Sequence, residues 1–290
     1  MRSLLFVPAD SERKLAKAAS ARSDALILDL EDSVAPERKA VARGLAAEYL
    51  RDAGRRTGVW VRINDRSSGE LLKDLAALVP ARPAGIVLPK ILGPADVEAV
   101  AHYLDALEVA HGVSNGSIAM LVLATETPAA VLRMQRLIEV DCARLRALAW
   151  GAEDLSVALG AGNPRTAEGA WRSTYEHART QCLLAAHALA LEAIDSVYVD
   201  FRDGDGLARA CAASRQDGFT GRLAIHPDQV AIINAAYTPS EAERLLAQRI
   251  VDAFGAGTGT VSIDGNMYDL PHLKAARRVL RSFDPKESGA

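Results

Sequence analysis

Short apolar runs recur along the chain, separated by stretches whose apolar residues return every three to four positions. The runs are SLLFVPA (3–9), DALILDL (24–30), GVWVRIN (58–64), AGIVLPK (84–90), IAMLVLA (118–124), LRALAWG (145–151), DSVYVDF (195–201) and RLAIHP (222–227). Nearly unbroken apolarity marks strands covered on both faces. Between them, SERKLAKAA, LLKDLAALV, PADVEAVAHYLDAL, PAAVLRMQRLIEV and STYEHARTQCLLAAHALAL have helical spacing. These β/α repeats over residues 1–228 predict an α/β fold, a (β/α)8 TIM barrel. A doubly wound open sheet is the alternative, but no Gly-x-Gly-x-x-Gly follows an early strand to support it. The long GAGNPRTAEGAW stretch (160–171) is expected to lie over the barrel mouth.

After residue 228 the pattern changes. TPSEAERLLAQRIVDAF is a helix opened by a capping-box spacing, Ser240 to Glu243. GAGTGT, with Gly255, Gly257 and Gly259, predicts a loop, and VSIDGNMYDLP contains an Asp264-Gly265 turn. PHLKAARRVLRSF is a last helix, before a polar tail, DPKESGA. Residues 229–290 are thus expected to form a helical arm or lid rather than a ninth repeat.

Bulk properties narrow the function classes. The 290 residues are 49% hydrophobic and 24% charged, a soluble globular balance. A net charge of −3 without a basic stripe argues against nucleic-acid binding. Three scattered cysteines, Cys142, Cys182 and Cys211, have no ligand spacing and suit a reducing compartment. The apolar start of MRSLLFVPAD stops at Pro8, too short for a signal sequence, and no run approaches the ~18 apolar residues of a membrane span. A cytoplasmic location is expected.

Catalytic groups of (β/α)8 enzymes sit at the C-terminal ends of the strands. Those positions hold Glu31 and Asp32, Arg62 and Asn64, Lys90, Glu126, Asp154, Asp200 or Asp203, and His226. Glu126 and Asp154 close successive runs. Oxygen-only ligands favour Mg2+ or Mn2+ over zinc. Each acid alone reads rather as a helix cap or first-turn acid; as a pair they favour a metal site. Arg62 suits a carboxylate or a developing oxyanion, or a structural pair with an acid such as Glu31. LDLEDSV places Asp29, Glu31 and Asp32 within four residues, acids that repel unless the metal or Arg62 supplies positive charge, or that form a solvated loop; Glu31, Asp32 and Lys90 are candidate substrate-binding groups at the same rim. Arg13, Lys14 and Lys17 follow the first strand and either meet phosphates or form a solvated basic face.

RSLLFVPA, LDLEDSV, VRIN, VLPK, ETPAAV, GAEDL, GFTGRLAIHPDQV and DGNMYDLPHLKAARR occur in this order. In this the chain resembles the citrate lyase β-subunit-like, acyl-CoA lyase family of the HpcH/HpaI aldolase superfamily, over about residues 2–282. That family includes malyl-CoA, citramalyl-CoA and citryl-carrier lyases. The resemblance implies a Mg2+ site at Glu126 and Asp154 and a substrate-binding Arg62. It also implies a homotrimer or hexamer in which the C-terminal segment reaches over a neighbouring subunit's mouth, bringing Asp269 of NMYDLP as a catalytic acid. Read from the sequence alone, Asp269 is a helix N-cap before Pro271. The implied reaction is retro-Claisen cleavage of a 3-hydroxyacyl-CoA to an acyl-CoA and a 2-oxo acid, with CoA carried by the substrate. A thioesterase on the same esters, a citrate lyase β-subunit acting on a carrier-protein thioester, and a non-catalytic metabolite-binding protein are the alternatives. Two departures from the family pattern bear on the CoA side of the pocket: Ala9 replaces a usual glycine, and Asn266 with Tyr268 stand in a segment that usually reads DGKM.

Overall fold

The computed structural model describes residues 1–18, 20–52, 58–167, 169–255, 259–281 and 283. Its parallel strands close into a barrel in chain order. They are β1 (Ser3–Pro8), β2 (Ala25–Asp29), β3 (Val59–Arg62), β4 (Gly85–Leu88), β5 (Ala119–Leu123), β6 (Leu145–Ala149), β7 (Glu192–Asp195) and β8 (Gly221–Ala224). Closure is made by β1 pairing with β8, Ser3 against Arg222 and Leu5 against Ala224. Helices α1 (Glu12–Ala18), α2 (Lys39–Asp52), α3 (Leu71–Leu78) and α4 (Pro94–Ala110) follow the first four strands. After β5 come α5 (Pro128–Leu132) and α6 (Met134–Leu137); after β6, α7 (Ala152–Ala158) and α8 (Ser173–Ala188). The last two repeats end in α9 (Gly204–Asp217) and α10 (Pro227–Tyr237).

The barrel interior is filled by side chains from every strand, among them Leu4, Ile27, Trp60, Val87, Leu121, Ala147, Ile194 and Leu223. Trp60 takes so much of this space that its neighbour on β4 has to be glycine: a Cβ on Gly85 would stand 2.3 Å from the indole ring. Because strand side chains alternate with period two, Asp29 points inward with Ile27, and Arg62 with Trp60. The interior is therefore apolar at depth and charged at the C-terminal ends of the strands.

One predicted strand is displaced. β7 is Glu192–Asp195, whereas the sequence pattern placed it at 195–201. Beyond Asp195 the backbone leaves the ladder, and side chains satisfy it instead: Asp195 Oδ1 accepts the Ser196 N–H, and Gln229 Nε2 donates to the Tyr198 carbonyl. Val199 and Phe201, which made the run look buried, are exposed. Asp200 and Asp203 consequently do not end a strand. Asp203 caps α9, accepting from the Gly206 N–H at 2.8 Å and from the Tyr198 hydroxyl at 2.7 Å.

The insert before α8 folds back through a bridge between Arg165 and Trp171, with the Arg165 guanidinium 3.5 Å from the centre of the Trp171 ring. Trp171 in turn meets Trp150 edge-on at 4.8 Å.

The chain divides into two compact units; the first runs Met1–Asn234 and takes in most of α10, and the second begins at Ala235. The second unit contains α11 (Glu241–Phe254), a hairpin of β9 (Thr260–Ile263) and β10 (Asn266–Asp269), and α12 (Leu270–Arg281). The capping box at Ser240 and Glu243 is formed in full. Asp264 and Gly265 both have positive φ, 52° and 79°, as a two-residue hairpin turn of the primed type requires. Ile250, Phe254, Ile263 and Leu273 bury one another in a small core. Gly257 and the tail at 284–290 lie outside the described residues. Among the described residues no helix is long and apolar enough to cross a membrane.

Candidate active site

A cavity of about 340 Å³ opens at the C-terminal ends of the barrel strands. Its polar wall includes Asp29, Asp32, Arg62, Glu126 and Asp154; its apolar wall includes Phe6, Leu123, Trp150 and Leu223. Glu126 and Asp154 thus share one cavity. Glu126 follows β5 and is buried. It is not the cap of α5: that cap is Thr127, whose hydroxyl accepts the Ala130 N–H. Asp154 stands in the first turn of α7, where no side chain caps the helix. The capping explanation therefore fails for Glu126, whereas Asp154 is a first-turn acid that also lines the cavity with a partly exposed carboxylate.

Gly151, between β6 and α7, makes room for Glu126. A Cβ there would lie 2.8 Å from Glu126 Cγ. The carboxylate accepts the Lys90 backbone N–H on Oε2 at 2.7 Å, and no other described group donates to it. Burial, then the nearby charge of Asp154 and that of Glu31, push the Glu126 carboxyl well above its ordinary range.

Arg62 is held from behind. Its Nε and Nη2 each donate to Asp29 at 2.7 Å, and its guanidinium lies 4.7 Å from the centre of the Phe6 ring. Burial alone would raise the Asp29 carboxyl, but the charge and hydrogen bonds of Arg62 overcome it and hold Asp29 below its usual value. Nη1 lies 3.1 Å from Glu31 Oε2. Lys90 Nζ lies 2.7 Å from Glu31 Oε1, 2.7 Å from Asp32 and 3.4 Å from Asp154. Neither Glu31 oxygen meets hydrogen-bond geometry despite these close cations. Burial pushes its carboxyl up to about 7, against the pull of Arg62.

Glu31, Asp32, Arg62, Lys90, Glu126 and Asp154 thus converge as the strand-end reading expects. Arg62 is ion-paired, as one of its two readings expects, and also lines the cavity. Its principal partner is Asp29, one of the three clustered acids for which Arg62 is an expected source of positive charge. Sequence reasoning missed Trp150, whose Nε1 donates to the buried Asp195 at 2.5 Å, and Arg222, which pairs with Asp195 from β8. A charged pair at facing positions of two interior strands was the available signal. Arg13, Lys14 and Lys17 are exposed on α1 and are not part of the cavity lining. Ala9 is fully buried and extends the β1–β2 ladder through its N–H to the Asp29 carbonyl, also away from the lining. His226 stacks on Phe201 at 4.7 Å, with Nδ1 3.5 Å from Asp228.

Asp269 closes β10 in the second unit, at the position before α12. Its Oδ1 lies 2.5 Å from His272 Nδ1, and this contact holds the Asp269 carboxyl below its usual range. Asn266 and Tyr268 are on the same strand, and the Tyr268 ring meets His272 edge-on at 5.4 Å.

The donor set fits a divalent cation with open coordination. Among the described residues, Asp29, Glu31, Asp32 and Asp154 make ion pairs here with Arg62 or Lys90, while Glu126, raised first by burial and then by the charges of Asp154 and Glu31, accepts only the Lys90 backbone N–H. Among the described residues, no three His, Cys, Asp or Glu side chains converge as a metal cage. Magnesium needs no such cage, because it takes one or two carboxylates and keeps waters for a substrate to displace.

Comparison with known proteins identifies the family. The profile of the HpcH/HpaI aldolase/citrate lyase family matches residues 2–227. A mitochondrial citramalyl-CoA lyase of Rattus norvegicus is 32% identical over 294 residues, 96% of this chain and 85% of that protein. A (3S)-malyl-CoA thioesterase of Cereibacter sphaeroides is 35% identical over 285 residues, covering 96% and 93%. The crystal structure of protein CitE from Mycobacterium tuberculosis in complex with magnesium, acetoacetate and coenzyme A superposes with a TM-score of 0.79 at 32% identity, covering 97% of each chain.

Proposed function

The chain belongs to the HpcH/HpaI aldolase/citrate lyase family, and we propose that it is a Mg2+-dependent carbon–carbon lyase. Its substrate would be a 3-hydroxyacyl-CoA of the malyl, citramalyl or citryl type, cleaved to an acyl-CoA and a 2-oxo acid. The observation that supports this most directly is the placement of Glu126, Asp154 and Arg62 around one cavity. Glu126 and Asp154 would hold the ion. When bound, the ion supplies Lewis-acid polarisation of the substrate oxygen that becomes the keto group.

Arg62 would bind and orient the acid end of the substrate. Asp29 occupies the Nε and Nη2 donors and Glu31 lies 3.1 Å from Nη1, so the guanidinium has a fixed plane in the cavity wall. A fixed donor stabilises charge that develops on an oxygen without reorganising during the reaction. Phe6, Leu123 and Trp150 would keep water from the reacting carbon. Protonation of the acyl-CoA carbanion is assigned to Asp269, brought by the arm of a neighbouring copy in a homotrimer or hexamer. As a carboxylate, Asp269 would take the α-proton of the acyl-CoA in the condensation direction; in cleavage the substrate hydroxyl loses its proton as the C–C bond breaks, and that proton equivalent, carried on Asp269, goes to the acyl-CoA α-carbon.

The deciding experiment incubates the protein with Mg2+ and malyl-, citramalyl- or citryl-CoA and follows both products. Equal amounts of acyl-CoA and 2-oxo acid are expected. Free CoA with the intact hydroxy acid would instead favour the thioesterase reading, which the 35% identity to a malyl-CoA thioesterase supports.

A further inference from the structure

Lys90 touches both acids assigned to the metal, by two different atoms. Its backbone N–H donates to Glu126 Oε2 at 2.7 Å, and its ammonium lies 3.4 Å from Asp154 Oδ1. The same ammonium donates to both oxygens of Asp32 at 2.7 Å and lies 2.7 Å from Glu31. The residue achieves this in an uncommon conformation. β4 ends at Leu88, Pro89 cannot donate to the ladder, and Lys90 follows with a φ of 48°. A non-glycine residue in the left-handed region is strained, and such strain persists only where the surroundings enforce it. Here the enforcing contacts are the acids of the site.

Arg62 is committed to Asp29 and Glu31. Lys90 is therefore the cation that answers Asp32 and Asp154, and it does so at the place where a metal ion bound by Asp154 would put its charge. Its distance to Asp154 is longer than its distances to Glu31 and Asp32, so the contact with Asp154 is the one most readily given up.

We propose that the Lys90 ammonium is the resident counter-ion of the metal-free acid cluster, and that a divalent cation binds in competition with it. On metal binding the ammonium gives up Asp154 and stays on Glu31 and Asp32, while the backbone N–H continues to orient Glu126. Lys90 is thus a positioning residue with a double effect. It keeps the acids from repelling one another when no metal is bound, and it sets an upper limit on how tightly the metal is held. This rests on the assignment of the metal to Glu126 and Asp154.

The test is Mg2+ titration by calorimetry, without substrate, of the full-length protein and its Lys90→Gln, Lys90→Met and Lys90→Arg variants. Both neutral variants keep the backbone N–H. Removing a unit charge a few ångströms from the ion is expected to tighten Mg2+ binding by about tenfold or more. Lys90→Arg should stay near wild type. Thermal melts in EDTA should show the neutral variants less stable than wild type, and saturating Mg2+ should close that gap. If either neutral variant folds and binds Mg2+ as weakly as wild type or more weakly, the competition is overturned. If wild-type Mg2+ binding is unchanged by Glu126→Gln and Asp154→Asn, the metal assignment itself falls, and this inference with it.

Discussion

Gly151 has a conventional backbone, with a φ of −122°, so what constrains it is space and not conformation. A methyl group there would press on Glu126 Cγ. Gly151→Ala is expected to weaken Mg2+ binding while circular dichroism shows the barrel intact. Asp29 makes a second residue-scale case. Asp29→Ala leaves Arg62 beside Glu31 without its main partner. Breaking a buried ion pair typically costs about 3–5 kcal/mol, and chemical denaturation should register a loss of that order. Glu31 contributes to the pH dependence together with Glu126, whose carboxyl is also raised. The Glu31 carboxyl is raised to about 7 in the folded protein, so between the ordinary carboxylate range and pH 7 the native state holds more protons than the unfolded chain. Its share of the stability in EDTA should therefore fall as pH rises through that window, by ~3 kcal/mol at most. Glu31→Gln should reduce the slope; an unchanged slope would assign it to another group. Arg62, Glu126 and Asp154 were legible because each ends an apolar run where a barrel exposes its chemistry. Asp29 was legible as one of three clustered acids in need of a positive charge, but not as the principal partner of Arg62: which face of β2 points inward is decided by its neighbours, and its partner is 33 residues away.

At the scale of elements, most strands follow from unbroken apolar runs, and the exception has a local cause. The stretch after Asp195 has the composition of a strand, yet hydrogen bonds from Gln229 and Asp195 take the backbone groups a ladder would have used. The true strand, Glu192–Asp195, carries a charge at each end and offers too short an apolar run to be noticed. The error moved the expected strand-end acid from Asp195 to Asp200 or Asp203 and hid the pairing with Arg222 and Trp150. Asp203 is a helix cap, so Asp203→Ala should lower the melting temperature slightly and leave Mg2+ affinity unchanged. Asp195→Asn should instead disturb Trp150 and, through it, the Trp171 edge contact, visible as a change in tryptophan fluorescence.

For the whole molecule, the open question is what Asp269 serves. Asp269→Asn is expected to reduce turnover by about 10²–10⁴-fold while Mg2+ titrations stay at wild-type values. If the arm works on a neighbouring copy, co-refolded mixtures of Asp269→Asn and Glu126→Gln chains should regain activity that neither variant has alone. Mixtures as inactive as their components would place the acid within its own chain or remove it from the mechanism. The sequence shows the second unit as a change of pattern after the last repeat, and a change of pattern does not say where Asp269 acts.

The seam between β1 and β8 sets a schedule for synthesis. Ser3 pairs with Arg222, so the first strand to leave the ribosome waits for one of the last parts of the barrel. At about 5–20 residues per second that wait is roughly 10–45 s. Until then β1 has β2 on one side and an open edge on the other, with Leu4 and Phe6 facing an unfinished interior. The nascent chain is most exposed to mispairing over this interval, and chaperone occupancy should end abruptly once β8 emerges.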